Sequence, residues 1–264
     1  MTMNKQETIL LDSLKEMKDT CGVIAIKAEF EAEGARMDEL ISLRELVVRA
    51  DLGFVIKIGG CEAVHDMNQG KLLGATGMMA PMIETPFAMS KFATAAKRVY
   101  GDDINTVEWI INAETKTCHA NYKSIMEEGK GFLNAVTVGR SDLSASMGIE
   151  RKDIESEAVF EATKDMLLMS KKAGCTTNFG GNIGIESIPF IKGLSGIADR
   201  FETRKVVVSM DDDEKRLKNA ISKALGFELL YLLNKKSYYT RLSCEDETRI
   251  ERMRMQLEKA KCNE

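Results

Sequence analysis

Short apolar runs rich in β-branched residues alternate with longer segments of helical periodicity, and this alternation constrains the fold more than any other feature of the sequence. Seven of these runs are predicted to be strands: residues 22–30, 54–60, 76–84, 107–114, 133–140, 175–181 and 205–210. Strands separated by helices of this length indicate βαβ crossovers and a parallel sheet. Seven or eight such units in 264 residues favour a (β/α)8 barrel, the TIM-barrel fold.

The segments between the runs repeat apolar residues at spacings of three and four, which predicts helices at 37–50, 85–100, 155–173 and 185–198. No Pro-rich or Gly/Ser-rich linker interrupts them, so residues 1–264 are predicted to form a single TIM-barrel domain. The tail, residues 211–264, is interpreted as a helical extension of two or three amphipathic helices. Such helices pack on the barrel or on a partner subunit, and a homo-oligomer is expected.

Composition favours a small-molecule partner. The 37 basic and 41 acidic residues are mixed along the chain and form no basic stripe, which argues against nucleic acid or an anionic membrane surface as a partner. No apolar run approaches the roughly 20 residues of a membrane span, and the N-terminal segment lacks the apolar core of a signal peptide. A cytoplasmic protein is therefore expected.

The cysteines are scattered and form neither a CxxC motif nor a cluster with histidine that would suggest zinc, so they are interpreted as reduced thiols. They are Cys21, Cys61, Cys118, Cys175, Cys244 and Cys262.

Charged and polar residues stand where the apolar runs end. In a parallel barrel the active site lies at the carboxyl ends of the strands, so these residues are the candidates for chemistry. They are Lys27, Glu29, Glu31, Lys57, Glu62, Glu84, Glu114, Arg140, Asp142 and Asn178. Several carboxylates converging on one mouth would repel one another, and a divalent cation with oxygen ligands, Mg²⁺ or Mn²⁺, would remove that conflict.

Glu114 and Asp142 are predicted to be the metal ligands because they follow successive strands and should be neighbours across the barrel. Mg²⁺ is held by one or two carboxylates together with water and substrate oxygens, which leaves room for a keto acid. The alternative is that either residue caps the following helix or pairs with a lysine.

Lys57 and Arg140 are predicted to face the anionic end of a substrate, where arginine offers a bidentate fork and lysine a point charge. The alternative is a structural salt bridge to Glu29 or Glu62. Catalytic roles are assigned to Glu29, Lys57 and Arg140, and substrate-binding roles to Lys27, Lys57, Glu84 and Ser141.

Two other features are weaker. His65 and His119 stand in helical contexts and are interpreted as surface residues. The segments GGCEA and FGGNIG have neither the GxGxxG nor the Walker spacing of phosphate loops.

Three segments carry a resemblance to a known family: APMIETPFAMSKF at 80–92, INAETKTCHANYKSI at 111–125 and VGRSDLSASMG at 138–148. In order and spacing they resemble the HpcH/HpaI aldolase and citrate lyase β-subunit family, over about residues 22–210. The resemblance implies a metal-binding barrel and a carbon–carbon lyase that acts on a 2-oxo acid or acyl ester through a metal-stabilised enolate. Carried over by position, the family's metal-binding Glu and Asp fall on Glu114 and Asp142.

The sequence departs from the family at two positions. The family's substrate-binding arginine falls on Lys57. Phe30 follows Glu29 where the pyruvate-type aldolases of the family have histidine and the citrate-lyase-like members have aspartate. The proton-transfer residue is therefore open, with Glu29, Glu31 and His65 as candidates. The strand that normally precedes the Glu29 strand is not recognisable in the helix-like N-terminus, so an atypical first strand is expected.

The sequence leaves two other functions open. A Schiff-base aldolase would use Lys27 or Lys57 with a depressed pKa. A non-catalytic barrel that binds a metabolite, or a subunit of a lyase complex, would explain the missing histidine and the replaced arginine.

Overall fold

Eight strands close into a barrel and follow one another around it in chain order, in a computed structural model that describes residues 3–261 and their side chains up to residue 256. The TIM-barrel class predicted from the sequence is confirmed. The strands are β1 (Val23–Glu29), β2 (Gly53–Lys57), β3 (Gly77–Ala80), β4 (Glu108–Ala113), β5 (Ala135–Gly139), β6 (Thr176–Gly180), β7 (Arg200–Glu202) and β8 (Val206–Ser209).

Helices surround the barrel. They are α1 (Lys5–Cys21), α2 (Met37–Arg49), α3 (Val64–Leu72), α4 (Pro86–Tyr100), α5 (Lys116–Glu128), α6 (Arg140–Ser146), α7 (Glu157–Lys172), α8 (Ile188–Gly193) and α9 (Glu214–Lys261). Short 3₁₀ turns lie at Gly101–Thr106, Arg151–Asp153 and Ile185–Ser187. Among the described residues, no helix combines the length and the apolarity that a membrane crossing requires.

One strand departs from the all-parallel sheet expected from the sequence. β8 runs antiparallel to both of its neighbours, β7 and β1, whereas the other adjacent pairs are parallel. β7 and β8 form a hairpin, in which the Thr203 amide donates to the Val206 carbonyl at 2.9 Å. The N-terminal segment forms the helix α1, which is why no strand before β1 was recognisable in the sequence. The place beside β1 is taken by β8 of this hairpin.

Alternation along the strands divides the residues between two layers. Side chains pointing outward pack against the helices in the main hydrophobic core. At the base of the interior a separate apolar layer consists of Ala25, Val55, Met79, Ile110, Ala135 and Val207. Two residues further along their strands the interior positions become polar, with Lys27 after Ala25, Lys57 after Val55 and Asn112 after Ile110. The interior is therefore apolar at its floor and charged at its mouth.

The C-terminal tail is a single helix of 48 residues, not the two or three helices expected. Neither glycine nor proline follows residue 226, so no helix stop separates the two amphipathic stretches. β8 ends at the floor, and α9 rises from there beside α1 to the mouth, with Leu217, Ile221 and Phe227 buried. The predicted helix at 185–198 is shorter than expected, since a 3₁₀ turn takes its first residues.

The five cysteines within the described residues form no disulfide, whereas Cys262 lies outside them.

Docking of α9 on the barrel gives a first prediction. Phe227 is 1% exposed, and replacing it by alanine should lower the free energy of unfolding by about 3–5 kcal/mol because a cavity remains. Tyr238→Ala, at an exposed site of the same helix, should change it by less than about 0.5 kcal/mol. Urea unfolding followed by circular dichroism measures both, and equal losses would contradict this packing.

Candidate active site

A cavity of about 710 Å³ opens at the carboxyl ends of the parallel strands and contains most of the charged residues inside the barrel. Its acidic lining residues are Glu29, Glu31, Glu114, Asp142, Glu202 and Glu228, and its basic ones are Lys27, Lys57, Arg151 and Arg204. With all of them ionised, six carboxylates face four cations, so the described lining has an excess of two negative charges. A divalent cation would balance this excess.

Lys27 lies on β1 between two carboxylates. Its Nζ is 3.4 Å from Glu29 Oε1 and donates a hydrogen bond to Glu202 Oε1. The Asn178 amide donates to the other oxygen of Glu202 at 2.6 Å, which fixes that carboxylate. Burial alone would lower the pKa of Lys27, but the charges of Glu202 and Glu29 outweigh it and hold the pKa above its usual value.

Lys57, at the end of β2, has the same kind of environment. Its Nζ lies 3.3 Å from Glu114 Oε2 and 2.8 Å from Glu31 Oε2. Burial opposes the charged form, yet Glu114 and Glu31 raise the pKa of Lys57 above its usual value. The salt bridge to Glu29 or Glu62 considered from the sequence does not form, since Glu62 pairs with Lys91 at 3.0 Å.

Glu114 follows β4 and is 1% exposed. Its Oε1 accepts the Met82 backbone N–H at 3.0 Å, and its Oε2 accepts the Asn112 amide. Burial raises the pKa of Glu114 to about 7; the ammonium of Lys57 lowers it and the nearby charge of Asp142 raises it further. Glu114 does not cap the next helix, because Thr115 does so by accepting the N–H of Cys118 at 3.0 Å.

Asp142 lies in the first turn of α6, exposed to the cavity. Two glycines keep its turn close to Glu114 and to the end of β6. A Cβ on Gly139 would lie 2.9 Å from the Glu114 Cβ, and a Cβ on Gly181, whose φ is +94°, would lie 2.6 Å from the Ser141 backbone nitrogen. The turn therefore has no space for larger residues at these two positions.

A divalent cation fits these residues. Among the described side chains, residues 3–256, no cluster of three or more His, Cys, Asp or Glu side chains is arranged around a common metal position. Mg²⁺ and Mn²⁺ do not need one, because one or two carboxylates with water and substrate oxygens suffice. Beside Glu114 the buried Oδ1 of Asn112 has no hydrogen-bond partner among the described residues. Glu114, Asp142 and this oxygen are donors of the type that these ions prefer.

Arg140 is not at the rim of the cavity, where it was expected. Its side chain is fully buried behind the wall, pairs with Glu155 at 2.8 Å and donates to the Gly181 carbonyl at 2.8 Å. Its guanidinium also lies 4.3 Å from the centre of the Phe190 ring. These contacts connect the start of α6 to the end of β6 and leave Arg140 no contact with the cavity, so we keep it out of the proposed catalytic set.

Of the remaining residues considered in the sequence, one lines the cavity and three do not. Ser141 lines the cavity. Glu84 is not a lining residue; its carboxylate accepts a hydrogen bond from the Thr115 hydroxyl at 2.6 Å. His65 is exposed on α3, and His119 pairs with Asp165 at 2.9 Å, so neither histidine lines the cavity.

Four charged lining residues were not predicted by the strand pattern of the sequence, and one of them, Arg151, lies in a 3₁₀ turn outside the strands. Glu202 belongs to β7, whose three residues are too few to show an alternation. Arg204, in the hairpin turn, contacts Glu29 at 3.6 Å, and Glu228 comes from α9. The segment RFETRKVVV, read as two short strands around a three-residue loop, would have revealed Glu202 and Arg204.

The model of the HpcH/HpaI aldolase/citrate lyase family matches residues 55–179, just under half of the chain. This match confirms the resemblance inferred from the three sequence motifs, all of which lie within it. At the level of the family it relates the chain to carbon–carbon lyases of the aldolase and citrate lyase type. Lys57, Glu114 and Asp142 fall inside the matched span, whereas Lys27 and Glu202 fall outside. A comparison with curated protein sequences gives no match.

Several solved structures share the fold. An HpcH/HpaI aldolase/citrate lyase family protein from Burkholderia cenocepacia J2315 aligns with a TM-score of 0.60 at 16% identity, over 87% of this chain and 90% of its own. The HpcH/HpaI aldolase of Desulfitobacterium hafniense DCB-2 gives 0.61 at 14%, over 86% and 89%. The citrate synthase SbnG gives 0.57 at 14%, over 83% and 88%. At such identities the likeness is one of fold.

Replacement of Arg140 by an uncharged residue tests its contribution to the stability of the fold. Arg140→Met should lower the free energy of unfolding by about 3 kcal/mol, because the carbonyls of Gly180 and Gly181 and the carboxylate of Glu155 lose their buried donor. Arg151→Met is the matched control; Arg151 is exposed and bonds Asn182, and a change below about 1 kcal/mol is expected. Similar losses of stability in the two variants would show that the buried contacts of Arg140 contribute no more than those of an exposed arginine.

The raised pKa of Glu114 predicts how the stability of chelated protein depends on pH. A carboxyl with a pKa of 4.5 when unfolded and about 7 when folded contributes stability that is fully present below pH 4.5 and is lost as the pH rises through about 7. The loss should amount to about 3 kcal/mol. Denaturant unfolding with EDTA at pH 5 and pH 8 measures it, and the decline should be smaller in Glu114→Gln than in wild type or Glu62→Gln. Identical declines in all three proteins would show that Glu114 does not titrate in this range.

Proposed function

We propose that the protein is a divalent-metal-dependent carbon–carbon lyase that acts on a 2-oxo acid or an acyl ester, because residues 55–179 match the model of the HpcH/HpaI aldolase/citrate lyase family. The environment of Glu114 carries the proposal. Its buried carboxylate, with a pKa raised to about 7, lies beside Asp142 and an unpaired amide oxygen in a cavity with excess negative charge. An anionic substrate enters such a cavity favourably only when a further cation is present.

Glu114 and Asp142 would hold Mg²⁺ or Mn²⁺, with Asn112 Oδ1 as a third oxygen close by. When bound, the ion supplies positive charge beside the substrate oxygen on which negative charge develops, an effect worth several kcal/mol of barrier. The tight packing of Gly139 against Glu114 and of Gly181 against Ser141 holds the ligand-bearing turns in place.

Lys57 and Lys27 would bind the anionic oxygens of the substrate. Both ammonium groups are buried in the cavity wall and each is held between two carboxylates. Glu31, the more exposed partner of Lys57, would give up this contact when a substrate carboxylate replaces it. Since the side chain is lysine, each contact is a point charge without the fork of an arginine.

Retro-aldol cleavage needs a base and then an acid. The base takes the proton from the substrate hydroxyl, the carbon–carbon bond breaks, and its electron pair passes to the 2-oxo oxygen to give an aldehyde and an enolate. The enolate carbon then receives a proton. Glu29 and Glu31 line the cavity and can accept and return this proton, whereas His65 does not reach it. We assign the role to Glu29, at the end of β1.

A Schiff-base mechanism has weaker support. It requires an unprotonated lysine, and the carboxylates around Lys27 and Lys57 raise the pKa of both side chains, which keeps them charged. Reduction with borohydride in the presence of substrate tests this alternative, since a covalent lysine adduct detected by mass spectrometry would favour it over the metal mechanism.

Deuterium exchange tests the proposed lyase directly, because enolate formation replaces the C3 protons of a 2-oxo acid by deuterium without a second substrate. Pyruvate, 2-oxobutanoate and oxaloacetate are incubated in D₂O with protein and Mg²⁺ or Mn²⁺ and followed by NMR. Exchange should stop on chelation and fall by at least about a hundredfold in Glu114→Gln and Asp142→Asn. Glu62→Gln, whose side chain pairs with Lys91 outside the cavity, should retain it.

Two outcomes would overturn the proposal. Full exchange by metal-stripped protein would remove the metal from the mechanism. Binding of these acids without exchange, and without cleavage of acyl-ester substrates by wild-type protein, would favour a non-catalytic barrel.

A further inference from the structure

The two carboxylates that contact Lys57 are held in different ways. Glu114 is 1% exposed and also accepts hydrogen bonds from the Met82 backbone N–H and the Asn112 amide, which fix both of its oxygens. Glu31 lies in the loop after β1 and lines the cavity with 27% of its side chain exposed. Within the described part of the chain, the Glu31 carboxylate pairs only with the Lys57 ammonium, at 2.8 Å. Glu31 is therefore the partner that a ligand can displace.

The backbone on either side of Glu31 is anchored. The Phe30 N–H donates a hydrogen bond to the Lys57 carbonyl at 2.9 Å, which joins the loop to the end of β2. Two residues after Glu31, the Glu33 carboxylate pairs with Arg204 at 3.1 Å in the turn of the β7–β8 hairpin. Because the loop is held on both sides, Glu31 can leave Lys57 by rotation about its own side-chain bonds, without movement of the loop.

A further anion at Lys57 would displace Glu31 rather than join it. Lys57 is 6% exposed, and two carboxylates already face its ammonium group, those of Glu31 and Glu114. A third carboxylate at this buried ammonium would lie against the other two, and like charges brought together in this way repel one another strongly. A substrate carboxylate therefore takes the place of the Glu31 carboxylate, which is the same chemical group.

We propose that Glu31 is a tethered competitor of the substrate, whose carboxylate occupies the position on Lys57 that the carboxylate of a 2-oxo acid takes on binding. This inference rests on the proposed function, in which Lys57 binds an anionic oxygen of the substrate. A group attached through a short stretch of chain competes at an effective concentration on the order of millimolar. Glu31 is thus a specificity-determining residue, because it sets the affinity that an anion needs in order to bind.

This competition selects among anions by their absolute affinity. Every acid that binds Lys57 loses affinity by the same factor, since the same contact with Glu31 has to be broken. A simple carboxylate such as acetate contacts little besides the ammonium group and is excluded. A 2-oxo acid has a further oxygen for the ion held by Glu114 and Asp142 and stays bound. When no substrate is present, Glu31 keeps the buried ammonium paired.

Binding measurements test the competition without turnover. Glu31→Gln removes the charge and keeps the size of the side chain, so it should lower the dissociation constant of oxalate at least about tenfold. Calorimetric titration in the presence of Mg²⁺ measures this constant. Displacement of oxalate measures the dissociation constant of acetate, which should fall by the same factor.

Glu228→Gln is the matched control, because Glu228 lines the same cavity but is not a partner of Lys57. It removes the same charge and should leave both dissociation constants within about threefold of wild type. Circular dichroism verifies that both variants are folded.

Kinetics separate a competitor from a proton-transfer group. In deuterium exchange of pyruvate, Glu31→Gln should lower KM at least about fivefold and keep the rate at saturation within about threefold of wild type. A role in proton transfer, which the sequence leaves open for Glu31, would instead lower the rate at saturation by about a hundredfold.

Three results would overturn the role of Glu31: unchanged or weaker binding of oxalate and acetate by folded Glu31→Gln, an equal gain in Glu228→Gln, or the loss of rate at saturation. Failure of the proposed function is seen separately, in wild-type protein, as an affinity for oxalate that does not depend on Mg²⁺. The comparison of the two variants with acetate still decides the role of Glu31 in that case.

Discussion

Charge compensation inside the barrel is the constraint on which the rest of the structure depends. Each of the two lysines in the upper interior layer lies between two carboxylates, Lys27 between Glu29 and Glu202 and Lys57 between Glu31 and Glu114. Removing one member would leave a buried charge unpaired, which costs several kcal/mol. The pairs come from β1, β2, β4 and β7 and the loop after β1, so the charges bring together elements that are distant in sequence. With all of these groups ionised, the same arrangement leaves an excess of negative charge, which a divalent cation would balance.

Most of the fold could be predicted because its strands are long enough to show their pattern. β1, β4 and β5 each display five or more apolar or alternating residues and were found close to their observed bounds. β7 has three residues and shows no period, and the direction of a strand leaves no mark on its own sequence. The expectation of an all-parallel sheet therefore failed at β8. The unbroken α9 was missed for a different reason, since a change of amphipathic face resembles a helix end when the partner surface is unknown.

The strand pattern predicted correctly which residues of regular strands enter the cavity. Beyond the strand ends, the sequence did not predict in which direction a side chain points. Lys57 and Glu114 end regular strands, and the alternation that places Val55 and Ile110 inside also places them inside. Arg140 and Asp142 were taken as members of one turn, but Arg140 is already the first residue of α6. Two positions along a helix correspond to a rotation of about 200°. The side chain of Asp142 therefore enters the cavity, whereas the side chain of Arg140 points behind the cavity wall.

The β7–β8 hairpin determines how the barrel closes. Closing the barrel joins β1 to β8 across about 180 residues of chain, with an irregular register between Val23 and Ala25, so this junction has the longest loop-closure path in the barrel. Lys27 spans it twice: its amide donates to the Lys205 carbonyl at 2.8 Å, and its ammonium contacts Glu202 on the far side. Lys27, which lines the cavity, thus also connects the two ends of the sheet where the barrel closes, and any fluctuation that opens the barrel there displaces a cation of the cavity.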